Sequence, residues 1–253
     1  MTGDESSQLP VQVTQSDGHL SLTLASPTTS NALSPVMVEA LIEALTDTQG
    51  VRSCSVHGEG RNFCAGFDLS EITLLSDGDL LHRFLRIETL LQMVHHAPFP
   101  VIAFCQGHAI GAGADLVASC WKRVADPSAK FKMPGWNFEL ALGTRRLARL
   151  IGSEHARDML IDTRSVAATE AHSMGLISQI ALMDEWDAQV TQFAARSAVL
   201  PEFSSRAMFN LTLPDTRAED IAAIVATAGR PGLKKRIQAY GAAVAAARKN
   251  RIK

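Results

Sequence analysis

Excess charge of either sign is missing from this chain of 253 residues, whose formal net charge is −2 and whose isoelectric point is about 6.4. That excludes the basic field that attracts nucleic acid and the polybasic patch that binds a membrane surface. Cysteine is sparse: Cys54, Cys64, Cys105 and Cys120 form neither CxxC pairs nor a zinc-binding spacing. They read as small buried hydrophobes in a reducing, cytoplasmic setting. The histidines likewise fall at no metal-ligand spacing, so no metal is expected. Long apolar runs are absent as well. The longest candidate, "PFPVIAFCQGHAIGAGADLVASC", is broken by Pro100, Gly107 and Asp115. The polar, acidic start "MTGDESSQLP" has no charged-then-apolar leader, so neither a membrane span nor a signal peptide is expected. No low-complexity segment occurs.

What is there is an ordinary globular composition, 46% hydrophobic, enough for a full core. After a short disordered start, "VQVTQ" and "HLSLTL" flank Asp17-Gly18 and alternate as a hairpin does. Ser34-Pro35 opens a helix that the spacing of Val38, Leu41, Ile42 and Leu45 carries to about Thr48. The order then repeats: strand "SCSVHGEG", an amphipathic helix over 78–96, strand "PVIAFCQG", a helix from "GAGADLVASC", and short strands in "KRVAD" and "AKFKM". Alternation of this kind implies an α/β fold with mainly parallel pairing and crossover helices. From Gly143 the text is mostly helical apart from "LISQIAL", which divides the chain into a strand-rich core, 1–195, and a helical region, 196–253.

Two bends carry the chemistry. In "NFCAGFDLSE" a strand ends in Ala-Gly before a large aromatic residue, so Gly66 marks a sharp turn. In "QGHAIGAGADL" a strand ends at Gln106-Gly107 and a helix starts near Gly111 or Ala112. The first-turn N–H groups of a helix have no intrahelical partner and sit at the positive end of its dipole, so they bind negative oxygen. Asp115, three residues on, places a carboxylate on the same side of that helix. If the Gly66 bend adds the N–H of Phe67, two convergent donors make an oxyanion hole suited to an enolate. One such donor is worth roughly 2.7–4 kcal/mol in the transition state.

"GRNFCAGFDLSEI", the block from "PFPVIAFCQG" to "KFKMP", "GTRRLARLIGSEHARDMLI", "ATEAHSMGLISQI" and "NALSPVMVEALIEAL" resemble, in order and near the usual spacing, the enoyl-CoA hydratase/isomerase (crotonase) superfamily. The resemblance covers most of the chain. It implies a crotonase-like spiral of repeated ββα units and a C-terminal helical region that builds a homotrimer or a dimer of trimers. It also implies an acyl-CoA thioester as ligand, its carbonyl oxygen held between the N–H groups of Phe67 and Ala112. Ala65, Asp68 and Leu69 would lie by the CoA adenine and pantetheine, Gly66, Gly111 and Gly135 would belong to the CoA- and substrate-binding surface, and Met133 and Trp136 would line the acyl pocket or serve equally well as core. No cofactor is implied beyond the coenzyme A of the substrate.

The chain departs from that pattern. Of the two glutamates of the hydratases, the first falls at Asp115 and the second at Gly135, which carries no carboxylate. Losing one acid–base group removes about 3–5 kcal/mol of stabilisation for water addition. Glu139, in a shortened loop, is the available substitute. With one carboxylate, double-bond isomerisation by a single shuttling base is easier than hydration. Hydration using Glu139, acyl-CoA hydrolysis, decarboxylation, and a non-catalytic acyl-CoA-binding paralogue stand as alternatives. A dinucleotide-binding reading of "GAGADL" is weak, wanting a third glycine and an acidic residue about twenty positions on, and detectable NAD binding would revive it.

Overall fold

The computed structural model describes residues 9–250, so the start expected to be disordered lies outside it. The strands are β1 (Val11–Ser16), β2 (His19–Leu24), β3 (Ser53–Gly58), β4 (Val101–Cys105), β5 (His108–Ile110), β6 (Lys122–Ala125), β7 (Lys130–Lys132), β8 (Val166–Ala167) and β9 (Gln179–Ile180). The helices are α1 (Pro35–Ala44), α2 (Asp77–His95), α3 (Ala112–Ser119), α4 (Thr144–Ile151), α5 (Ser153–Asp162), α6 (Ala168–Ser173), α7 (Trp186–Ser197), α8 (Glu202–Thr212), α9 (Arg217–Ala228) and α10 (Leu233–Asn250).

The main sheet has the order β1-β2-β3-β4-β6-β9; only β1 and β2 pair antiparallel, through the turn at Asp17-Gly18. β4 is buried along its whole length, as a parallel strand covered on both faces must be. Each later unit contributes a second, shorter strand to a side ladder: β5, β7 and β8 pair there, and Cys64 bridges to Ala109 of β5. A repeated strand–strand–helix unit of this kind makes a spiral, with each turn laid beside the last.

Local chemistry explains most boundaries. Ser34 caps α1 by accepting the Met37 N–H at 3.2 Å, with Pro35 in the first helical position. The helix stops at Ala44 rather than near Thr48. Asp47 Oδ1 accepts the Gln49 N–H at 3.2 Å, a local turn that competes with the helix. Ser76 and Asp79 form a reciprocal capping box that starts α2 at Asp77. The strand expected in "LISQIAL" shrinks to Gln179–Ile180, because Ile177 N–H is drawn back to the Ala171 carbonyl at the end of α6.

The main core lies between the sheet and α1–α6. Ile224 and Ala228 of α9 and Leu233 and Ile237 of α10 are buried in the same cluster, so these helices share the core instead of standing apart. Asp77 ties them down, accepting the N–H groups of Gly232 at 2.7 Å and Lys234 at 2.8 Å. α7 covers part of the other sheet face, where Trp186 and Phe193 meet Ile102, Phe104 and Val124. All four cysteines are buried free thiols, and burial pushes Cys64 and Cys120 up to about 12. Among the described residues no helix is long and apolar enough to cross a membrane, and no three or more His, Cys, Asp or Glu side chains gather as a metal site.

Asn31 holds the segment that leads into the Gly66 bend. It is fully buried with φ +55°, a conformation asparagine tolerates better than most residues. Its Oδ1 accepts the Ser26 N–H at 2.9 Å, and its Nδ2 donates to the carbonyls of Glu59, Asn62 and Phe63 at 2.9–3.1 Å. Asn31→Ala strands those buried groups, and urea unfolding is expected to show a loss of about 2–4 kcal/mol.

Candidate active site

The first bend is built by pairing the strand before it to the strand before the second. Phe63 N–H donates to Gln106 O at 2.9 Å, Cys64 N–H to His108 O at 3.0 Å, and Ile110 N–H to Cys64 O at 3.0 Å. Gly66 then turns at φ +85° against Ile110 and Ala112. A Cβ at this position would lie 2.3 Å from the Ile110 carbonyl oxygen and 3.3 Å from the Ala112 nitrogen. Gly66 N–H donates to Cys64 Sγ at 3.4 Å, and Gly66 C=O accepts the Leu33 N–H at 2.7 Å. Phe67 N–H, next in the chain, has no acceptor among the described residues. Its ring points the other way: it stacks on Phe84 of α2 with centroids 4.4 Å apart, and the Arg83 guanidinium lies 4.4 Å from the ring centre. The side chain is therefore an anchor on α2.

At the second bend Gly111 has φ +54° and donates to Lys132 O at 2.7 Å, and α3 begins at Ala112. As the first residue of α3, Ala112 has no intrahelical acceptor for its N–H. α3 can approach this closely because residue 113 is glycine: a Cβ there would lie 2.5 Å from Cys64 O. Of the other residues singled out, Met133 is buried in the main core, while Gly111 faces the ring of Pro134, its missing Cβ 3.8 Å from Pro134 Cδ. Gly135 opens a short helical turn packed on Leu140 O. Beyond the first bend Ala65 N–H donates to Ser30 O at 2.9 Å, Asp68 Oδ1 accepts the Ser70 N–H at 2.9 Å, and Leu69 is half exposed.

Asp115 is far deeper than a first-turn acid on a helix surface. It is 5% exposed, and its carboxyl rests against Gly143, the residue before α4. A Cβ on Gly143 would lie 1.9 Å from Asp115 Oδ1, so only glycine fits. That oxygen is buried without a hydrogen-bond partner. Burial pushes the Asp115 carboxyl well above the usual carboxylate range, with Arg146 opposing and Glu88 adding to the rise. Glu139 is held elsewhere: its carboxylate pairs with Arg230 at 2.6 Å and Arg236 at 3.6 Å, and its side chain is 45% exposed. Trp136 hydrogen-bonds Thr144 Oγ1 through Nε1 at 3.0 Å. With Gly143, Thr144, Glu88, Asp220 and Thr227 it lines a cavity of about 460 Å³.

Sequence reasoning missed Gly143, Glu88 and Arg146. Glu88 had a signal: it lies within the buried stripe of α2, one residue after Ile87 and four after Phe84, where an acid is out of place. Its carboxylate takes Arg146 Nη1 at 2.7 Å and Nη2 at 2.6 Å, and both side chains are almost wholly buried.

Residues 14–229 match the model of the family described as enoyl-CoA hydratase/isomerase. A probable enoyl-CoA hydratase of Mycobacterium leprae is 34% identical over 196 residues, which is 73% of this chain and 77% of that protein. One of Bacillus subtilis is 33% identical over 190 residues, 70% of this chain and 72% of that one. The solved structure of an enoyl-CoA hydratase/isomerase from Bordetella parapertussis, itself described as putative, superposes with a TM-score of 0.91 at 36% identity, covering 92% of this chain and 98% of that one. With two glycine bends converging on one helix N-terminus, a buried carboxyl a turn further on, and the same spiral of ββα units, this chain belongs to the enoyl-CoA hydratase/isomerase (crotonase) family.

Proposed function

We propose that this protein binds an acyl-CoA thioester, stabilises its enolate between the N–H groups of Phe67 and Ala112, and moves a proton with Asp115, the reaction being double-bond isomerisation of an enoyl-CoA. The observation that carries this reading is the packing of the Gly66 bend directly on the start of α3, with neither amide engaged elsewhere. Two preorganised amide donors in a site that excludes water stabilise the negative oxygen that forms when an α-proton leaves a thioester.

A single base suffices for isomerisation. The ionised Asp115 carboxylate takes the proton from the α-carbon, and the electron pair of that C–H bond delocalises onto the thioester oxygen. The double bond then shifts as Asp115 returns the proton to the γ-carbon. Nothing is oxidised and no water is consumed. The outward pairing of Glu139 with Arg230 supports a one-carboxylate reaction over water addition, which needs a second acid or base. Burial of Asp115 suits this role, because a carboxylate that holds its proton more tightly is a stronger base toward a weakly acidic C–H. We also propose that the C-terminal helices build a trimer or a dimer of trimers; Phe203 and Leu211 of α8, 83% and 86% exposed, offer apolar surface for it.

Three measurements check these readings. α-Proton exchange in D2O, followed by mass spectrometry over a panel of enoyl- and acyl-CoA esters, is expected for the wild type and to fall about 10²–10⁴-fold in Asp115→Asn. The wild-type rate should climb with pH until Asp115 ionises. Bound esters without exchange would instead mark a non-catalytic binding protein. The folded chain keeps the Asp115 proton at pH values where the unfolded chain has released it, so this residue lowers stability as pH rises from the ordinary aspartate range through its folded value. Asp115→Asn is therefore expected to melt above the wild type at alkaline pH, with the gap closing as pH falls to about 4. Sedimentation equilibrium should give three or six times the chain mass, and Phe203→Glu should lower it.

A further inference from the structure

The two carboxylates buried near one another, Asp115 on α3 and Glu88 on α2, differ in their partners. Glu88 is fully buried and fully engaged: its Oε1 accepts from Arg146 Nη1 at 2.7 Å and from Gln92 Nε2 at 3.0 Å, and its Oε2 accepts from Arg146 Nη2 at 2.6 Å. Arg146 Nη1 also reaches Asp220 Oδ2 at 3.4 Å, and Asp220 is held in turn by Arg145 at 2.6 Å and Thr216 at 3.0 Å. Asp115 Oδ1, by contrast, is buried with no partner, and so is Arg146 Nε. Without a competing acid, a buried guanidinium on α4 facing α3 would pair with the Asp115 carboxyl, since a lone buried charge is costly. It does not do so here, because its two-pronged edge is turned to α2.

We propose that Glu88 is a positioning residue for the proton transfer: by binding both Nη atoms of Arg146 it withholds that guanidinium from Asp115 and so keeps Asp115 a strong, unpaired base. This rests on Asp115 being the proton-transfer group.

The surroundings of Asp115 are otherwise electrically quiet. His95, from α2, is kept neutral by burial, falling to about 4. Cys64, against which α3 packs, and Cys120, at the end of α3, are thiols pushed up to about 12. Arg123 spends its guanidinium on the carbonyls of Leu176, Cys120 and Trp121 at the far end of α3. Glu88 and Arg146 are then the pair whose balance sets the field at Asp115: Arg146 offsets part of the rise that burial causes, and Glu88, which occupies that guanidinium, adds to the rise.

The test compares the pH–rate profile of α-proton exchange for the wild type, Glu88→Gln, Asp220→Asn and the double variant Glu88→Gln/Arg146→Met. Freeing Arg146 in Glu88→Gln should move the rising limb toward acid by about one pH unit or more. Asp220→Asn, a milder change, should move it the same way by less. Removing the cation as well should return the limb to the wild-type position or beyond it. A Glu88→Gln enzyme that loses rate with its limb unmoved would overturn the proposal, as would a double variant that stays shifted toward acid. Should Glu88→Gln fail to fold, Asp220→Asn and the double variant give the same contrast. The titration of Asp115 is also read directly, from the carboxyl 13C shift in aspartate-labelled protein assigned with Asp115→Asn. If the wild type exchanges no α-protons, the proposed reaction fails, while the 13C titration still decides the role of Glu88. An Asp115 titration midpoint that does not fall in Glu88→Gln overturns it.

Discussion

Everything in this site depends on how closely two pieces of backbone approach: the bend at Gly66 and the start of α3. The approach is steric before it is electrostatic. Side-chain carbons at residue 66 or 113 would collide with the carbonyls of Ile110 and Cys64, so the contact exists only because both positions lack them. The hydrogen bonds from Phe63, Cys64 and Ile110 then register the two strands, and Asn31 braces the loop from behind. The geometry of the proposed oxyanion hole thereby rests on main-chain atoms, whose positions are set by ladders and glycines rather than by rotamers. This explains why Phe67 can be large, and why an alanine at 112 serves where the N–H is what matters.

The buried charges form a second layer behind the backbone. Asp115, Glu88, Arg146 and Asp220 come from four different helices and meet in the interior, where each unit charge costs free energy unless it is matched. Three of them match one another and the fourth is left over. A left-over acid is a poor stabiliser, and as the proposed base Asp115 would trade some folding free energy for proton affinity, as unsatisfied groups at functional sites commonly do.

Much of this was legible in the sequence, and the boundary between legible and not has a physical cause. Local rules located the hairpin at Asp17-Gly18, the cap at Ser34, and the bend at Gly66, because each depends on a few neighbouring residues. The depth of Asp115 was not legible: an acid in the first turn of a helix looks the same whether it faces solvent or Gly143 twenty-eight residues on. Neither was the fate of Glu139, whose partner Arg230 lies 91 positions away, nor that of Glu88, whose partner Arg146 lies 58 positions away. Side-chain pairing across such separations follows from the tertiary fold, and one sequence read alone holds only its residue types.

α2 touches both layers. Through Phe84 and Arg83 it holds the ring of Phe67, through Glu88 it holds Arg146, and at its first residue it grips the segment entering α10. One helix therefore bears on both the proposed oxyanion donor and the proposed base. A sideways slip or a slight roll of that helix would misalign both at once, so the chain has few independent ways to retune one without the other. Substitutions along α2 would be inherited as coupled sets, and change would more easily accumulate in the cavity walls contributed by α9 and the Trp136 turn.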